Sequence, residues 1–136
     1  MSPNDSLLEI YREVERQLAQ QGCACHACGK CCNFRANDYV LYASQIETDL
    51  VLENTGRRPE LVNGRCCFQD DSGRCTIHSW RPLGCRTYFC EQACPTAGSA
   101  EASQELHERA LNRIRELTQE HDRKWLYGPF FSWGVE

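Results

Sequence analysis

Cysteine placement constrains this chain more than any other feature. Its eleven cysteines gather in CHACGKCC, Cys25 to Cys32, and in CCFQDDSGRCTIHSWRPLGCRTYFC, Cys66 to Cys90, with Cys23 and Cys94 just outside. Such spacing reads as a metal site. A thiolate donates strongly to zinc or iron, and a C-x-x-C turn holds two sulfurs close enough for one centre while its backbone amides point at them.

Composition agrees that something besides burial must organise the middle. The 41% apolar fraction of these 136 residues includes the cysteines, which leaves a thin core of ordinary hydrophobic side chains. The length suits one domain, with a metal motif over 23–95 and helical extensions at 1–22 and 96–136. A disulfide-stapled secreted scaffold is the rival reading. Against it stand the polar start MSPNDSLLEIYREVERQLAQ, the odd cysteine count, and cysteines that are adjacent or a few residues apart. The chain is therefore expected in a reducing, cytoplasmic setting. Net charge is −4, with basic residues scattered and no aromatic-laced basic stripe, so neither nucleic acid nor membrane is an expected partner.

The expected fold is mainly α, a small irregular metal-organised core with flanking helices and few or no short strands. Ser6 and Glu9 form a capping-box pattern, and Leu7, Ile10, Tyr11, Val14 and Leu18 recur at helical spacing, predicting a helix over 6–19 ended by Gly22. A second helix is expected over 38–54, with Asp38 as N-cap and Gly56 as terminator. Residues 57–95 read as loops with at most short strands or turns. The longest helix is expected over 99–127, stepping through Leu106, Ala110, Ile114, Leu117, His121 and Trp125 to a stop at Gly128 and Pro129. The aromatic tail PFFSWGVE reads as a lid on the core or the metal loops, with a partner-docking patch as the sharper alternative.

The candidate metal ligands are Cys25, Cys28, Cys31, Cys32, Cys66, Cys75, Cys85 and Cys90. A structural zinc or a cubane cluster needs four ligands, so one site is possible and two are allowed by ligand count. Cys31 and Cys32, being adjacent, point to opposite faces in a regular strand; they serve two centres, or one of them packs. The run C-x-x-C-G-x-C at Cys25, Cys28, Gly29 and Cys31 has the form found around ferredoxin cubane clusters, and Cys90-x-x-x-Cys94-Pro95 is a weaker echo of how that motif ends. Cys23 and Cys67 read as buried thiols or spares. His26 and His78 read as supporting or surface groups, His107 and His121 as helix-face residues. Arg81 and Arg86 are candidate cofactor-binding groups; together with Arg35, Arg65 and Arg74 they surround the cysteines and are placed to offset thiolate charge, ordinary surface ion pairing being the alternative.

Catalytic signatures are absent: the chain has no C-x-x-x-C-x-x-C triplet, Gly-rich phosphate loop or H-E-x-x-H helix. Catalytic residues are unassigned, and any chemistry would belong to the metal centre.

CHACGKCC followed by C-x8-C and RP-x2-CR-x3-C resembles the YkgJ-type CxxCxxCC cysteine-cluster family, described as zinc- or iron-chelating and often as iron-sulfur-containing. The resemblance covers residues 25 to 90. It implies the same eight cysteines as ligands, with the RP pair at Arg81 and Pro82 and the arginine after cysteine at Arg86. Cys67 departs from the family's usual proline or apolar residue, and Cys23 and Cys94 are additional. The expectation is an iron-sulfur protein, of 4Fe-4S type with one or more centres, for electron transfer or cluster-based redox chemistry, with a protein redox or docking partner. The alternative is zinc in a structural or docking module, or a metal-chelating protein.

Overall fold

The computed structural model describes residues 2–20, 40–87 and 99–132. Among them are four helices and short antiparallel strands, so the fold is mainly α.

Helix α1 spans Pro3–Gln20 and buries Leu7, Tyr11, Val14 and Leu18, the spacing that the sequence shows. Its start differs from the expected Ser6. Ser2 is the cap: its Oγ accepts the Asp5 N–H at 3.1 Å and its carbonyl accepts the Ser6 N–H at 3.1 Å. Pro3 at the first helical position, with its φ already fixed and no N–H to satisfy, favours this earlier start.

The segment expected to open the second helix is instead a strand, β1, Tyr42–Ser44. Tyr42 is exposed whereas Ala43 and Ser44 are buried, and β1 pairs antiparallel with Tyr127–Pro129 (β4), Ala43 opposite Gly128. Helix α2 follows at Gln45–Thr55 with Ser44 as N-cap. The expected cap, Asp38, lies outside the described residues. The C-terminus is as expected: Gly56 takes φ 67° and its N–H bonds the Leu52 carbonyl at 2.8 Å.

The loop region contains a hairpin of β2 (Leu61–Val62) and β3 (Arg65–Cys66). Asn63 and Gly64 both have positive φ, 54° and 80°, as a two-residue type I′ hairpin turn demands. A 3₁₀ turn at His78–Trp80 leads into a short helix, α3, Leu83–Thr87, within the span expected to be loops with at most short strands or turns.

Helix α4 spans Ser99–Glu120, shorter than the expected 99–127. Asp122 adopts φ 55°; its N–H bonds the Gln119 carbonyl at 3.0 Å and the Arg123 N–H bonds the Thr118 carbonyl at 3.0 Å. These two bonds form a Schellman motif that turns the chain back toward β4. His121 and Trp125 therefore lie beyond the helix, not on its face.

Two apolar clusters result. α1 and α4 close over Ile46, Leu50 and Leu83 through Leu7, Tyr11, Leu106, Ile114 and Leu117. Leu41, Ala43, Val51, Phe68, Ile77 and Phe130 form the second, beside the cysteines. Trp80 packs against both. Truncating any of the buried leucines to alanine is expected to cost about 2–5 kcal/mol.

Candidate metal centre

Four described cysteines converge on the second apolar cluster. Cys66, Cys67, Cys75 and Cys85 are all half-buried and pack against it together with Phe131, while Phe130 is buried inside it. Phe130 and Phe131 of the aromatic tail thus pack on the same apolar cluster as the cysteines; Trp133 lies outside the described residues.

Cys66 and Cys75 are joined by a loop that the sequence builds locally. The Asp70 carboxylate accepts the Ser72 N–H at 2.9 Å, the Ser72 hydroxyl at 2.6 Å and the Arg74 N–H at 2.9 Å. Gly73 turns the chain at φ 87°, and Thr76 returns its N–H and hydroxyl to the Phe68 carbonyl at 2.8 and 2.6 Å. A bridge between Gln69 and Cys75 closes the loop. The loop therefore returns Cys75 to a position opposite Gln69, three residues along the chain from Cys66.

Backbone amides point at the sulfurs. The Phe68 N–H donates to Cys66 Sγ at 3.4 Å, and the Glu60 N–H donates to Cys67 Sγ at 3.4 Å. Such donors stabilise negative charge on sulfur and suit thiolates that hold a metal. Thiolates with amide donors of this kind are the chemistry that zinc and iron sites use.

Cys85 is carried by α3, which three polar groups fix in place. Glu47, 1% exposed, has its carboxylate fully engaged. One oxygen accepts the Tyr11 hydroxyl at 2.9 Å and the Leu83 N–H at 2.7 Å; the other accepts the Ser44 N–H at 3.0 Å and hydroxyl at 2.8 Å. Glu47 thus caps α2 at its own first turn and secures the first turn of α3 as well. Arg81, also buried, donates to the His78 carbonyl at 3.0 Å and to the Cys85 carbonyl at 3.2 Å. Arg86 donates to the Arg81 carbonyl at 2.9 Å and the Ser79 carbonyl at 2.7 Å, and lies over the Tyr11 ring. Both guanidiniums also meet the carboxylate of Glu15 on α1.

Burial pushes the Tyr11 hydroxyl well above its usual pKa, with the neighbouring Glu47 adding to the effect. Burial pulls Arg86 below its usual range, opposed by Tyr11 and Glu15. His78 titrates lower than usual through burial and the nearby Arg81. His107, on α4, places Nδ1 2.6 Å from the Thr87 hydroxyl and so ties α4 to α3; burial lowers its pKa.

Of the expected ligands, Cys66, Cys75 and Cys85 each pack against the second apolar cluster, whereas Cys25, Cys28, Cys31, Cys32 and Cys90 lie outside the described residues, as do Cys23, Cys94, His26 and Arg35. Among the described residues no three or more His, Cys, Asp or Glu side chains are arranged to hold a metal ion. Among Arg81 and Arg86's described partners are carbonyls, Glu15 and Tyr11. Arg65 and Arg74 are exposed. Sequence reading missed Glu15, Tyr11 and Glu47. Only Glu47 carried a local signal, the Ser44-x-x-Glu47 capping box.

A family model named CxxCxxCC, "Putative zinc- or iron-chelating domain", matches residues 24–113, reaching beyond the second cysteine cluster into α4. No curated protein and no solved structure matches the chain.

Proposed function

Starting from the fact that the chain belongs to the CxxCxxCC family, whose description is zinc or iron chelation, we propose that it carries an iron-sulfur cluster of 4Fe-4S type and passes single electrons to and from a protein partner in the cytoplasm. The observation that carries this reading is the gathering of Cys66, Cys75 and Cys85 on one apolar cluster, with a backbone N–H aimed at Cys66 Sγ. A cluster takes four thiolates. The ligand set drawn from Cys25, Cys28, Cys31, Cys32, Cys66, Cys75, Cys85 and Cys90 supplies them, with enough left for a second centre. Apolar side chains such as Phe68, Ile77 and Phe130 back the half-buried cysteines, and Arg81 and Arg86 bring positive charge to the helix that holds Cys85. A bound cluster would supply one-electron redox chemistry; the chain's residues hold, shield and electrostatically bias it. Among the described residues no helix is long and apolar enough to cross a membrane.

Zinc in a structural module is the second reading, because N–H···S donors stabilise a zinc thiolate equally well. Serine variants and electron paramagnetic resonance distinguish the two. Under the iron-sulfur reading, the reduced protein gives a cluster signal. Cys66→Ser, Cys75→Ser and Cys85→Ser each lose iron and sulfide together, while Cys67→Ser retains both. A silent spectrum, with zinc retained stoichiometrically, establishes the second reading instead.

A further inference from the structure

We propose that the outer face of the β1–β4 ribbon is the docking surface for a proline-rich segment of a partner protein, held as a polyproline II helix with an acidic residue at one end. The face follows from the register. Tyr42 stands opposite Pro129 and Ser44 opposite Tyr127, so Tyr42, Tyr127 and Pro129 share one side of the ribbon. Ala43, and Leu41 just before the strand, lie on the other side, buried in the second apolar cluster. On the outer side Tyr42 and Tyr127 are 47% and 39% exposed, and their rings stack with centroids 5.8 Å apart and planes 19° from parallel. Trp125, two residues before Tyr127, continues the row at 5.7 Å and 11°. Its ring is half-buried against the first apolar cluster, which anchors the row.

Three near-parallel rings in a row suit an extended chain with flat apolar side chains. A polyproline II helix advances about 6 Å every two residues, close to the 5.8 and 5.7 Å between successive rings. Its prolines pack on aromatic side chains, and their fixed φ leaves little conformational entropy to lose on docking. Such a helix has no internal hydrogen bonds, so its carbonyls are open acceptors. The hydroxyls of Tyr42 and Tyr127 are matching donors, since neither has a hydrogen-bond partner among the described residues. Charge places the acidic end. The Arg115 guanidinium lies 6.0 Å from the centre of the Trp125 ring and has no carboxylate partner among the described residues. Its neighbour Glu116 meets Arg113 instead, at 3.7 Å. A carboxylate beside the proline that covers Trp125 is therefore complementary to this cation. Single-stranded nucleic acid also stacks on aromatic rows, but it needs a cationic groove along its backbone, and this chain has a net charge of −4 with its basic residues scattered.

The test uses the full chain, with its metal content as purified, and a fluorescein-labelled oligoproline peptide ended by glutamates. The controls are the same peptide with alanine for every proline and an oligoproline without the glutamates. Binding is followed by fluorescence anisotropy. The glutamate-ended oligoproline is expected to bind and the alanine peptide not. Tyr42→Ala with Tyr127→Ala weakens binding about tenfold, and Tyr42→Phe with Tyr127→Phe, which keeps the rings, loses less. Arg115→Glu weakens the glutamate-ended peptide about threefold at low salt and leaves the plain oligoproline unchanged. That comparison, made on an exposed helix position, decides the matter even if the alanine variant fails to fold. Equal binding of the alanine peptide, no binding at about 1 mM oligoproline, or affinities that ignore both the tyrosine and the arginine variants overturn the proposal. So does tighter binding of a single-stranded DNA oligomer that the tyrosine variant abolishes. A dimer of this chain that the same variant dissociates in sedimentation also overturns it, since the occupant is then a second copy.

Discussion

The Arg86 guanidinium lies 4.0 Å from the centre of the Tyr11 ring, a cation over an aromatic face in the buried seam between α1 and the helix that carries Cys85. The same Tyr11 sends its hydroxyl to Glu47. One aromatic side chain thus satisfies a buried cation with its face and a buried carboxylate with its edge.

Tyr11→Phe keeps the ring under Arg86 and removes one donor from Glu47. It is expected to cost about 1.5–3 kcal/mol, as for a hydrogen bond to a charged group. Tyr11→Leu removes the cation–ring contact too and should cost about 1–2 kcal/mol more. Urea unfolding of the two variants measures the difference; equal losses would show that the ring contact contributes nothing.

Glu47→Gln places an amide NH₂ where Ser44 now donates twice, so one buried contact turns repulsive. A loss of about 2–4 kcal/mol is expected. Because Glu47 also holds the Leu83 N–H, the variant should bind metal more weakly than a comparably destabilised core variant such as Ile114→Ala. Metal competition against a chromophoric chelator makes the comparison.

Asp122 holds a left-handed conformation at the end of α4, where glycine carries no steric penalty. Asp122→Gly should raise stability by about 0.5–1 kcal/mol and Asp122→Val should lower it. Thermal melts of the pair give the sign.

The His107 ring titrates below its ordinary 6.5 because it is buried against α3. The unfolded chain then binds the proton more readily than the folded one. His107 contributes stability that is fully present above about pH 6.5 and is lost as pH falls through that value toward the lower folded pKa. His107→Gln should flatten the stability profile between about pH 7 and 5 relative to the parent; a profile unchanged by the substitution would contradict this.

What the sequence made legible followed from local pattern. The Leu7, Tyr11, Val14, Leu18 stripe and the Leu106, Ala110, Ile114, Leu117 stripe each marked a helix, because period and burial agree within one element. Element ends were less legible. Ser2 with Pro3 outweighed Ser6 with Glu9, and Asp122 ended α4 without a glycine. The strand at Tyr42–Ser44 was invisible because its partner at Tyr127–Pro129 lies far along the chain, and a three-residue strand has no period of its own. The clasp of Glu15 on Arg86 spans 71 positions and joins α1 to the cysteine region, a pairing no spacing rule reaches. The candidate ligands were legible by type and spacing; the amides aimed at Cys66 and Cys67 belong to the turn geometry.

Iron and acid-labile sulfide analysis of protein purified without oxygen, together with its visible spectrum, is the most direct measurement. The iron-sulfur reading predicts brown protein with iron and sulfide in near-equal amounts and a broad thiolate-to-iron charge-transfer band. Colourless protein holding zinc and no sulfide would contradict it.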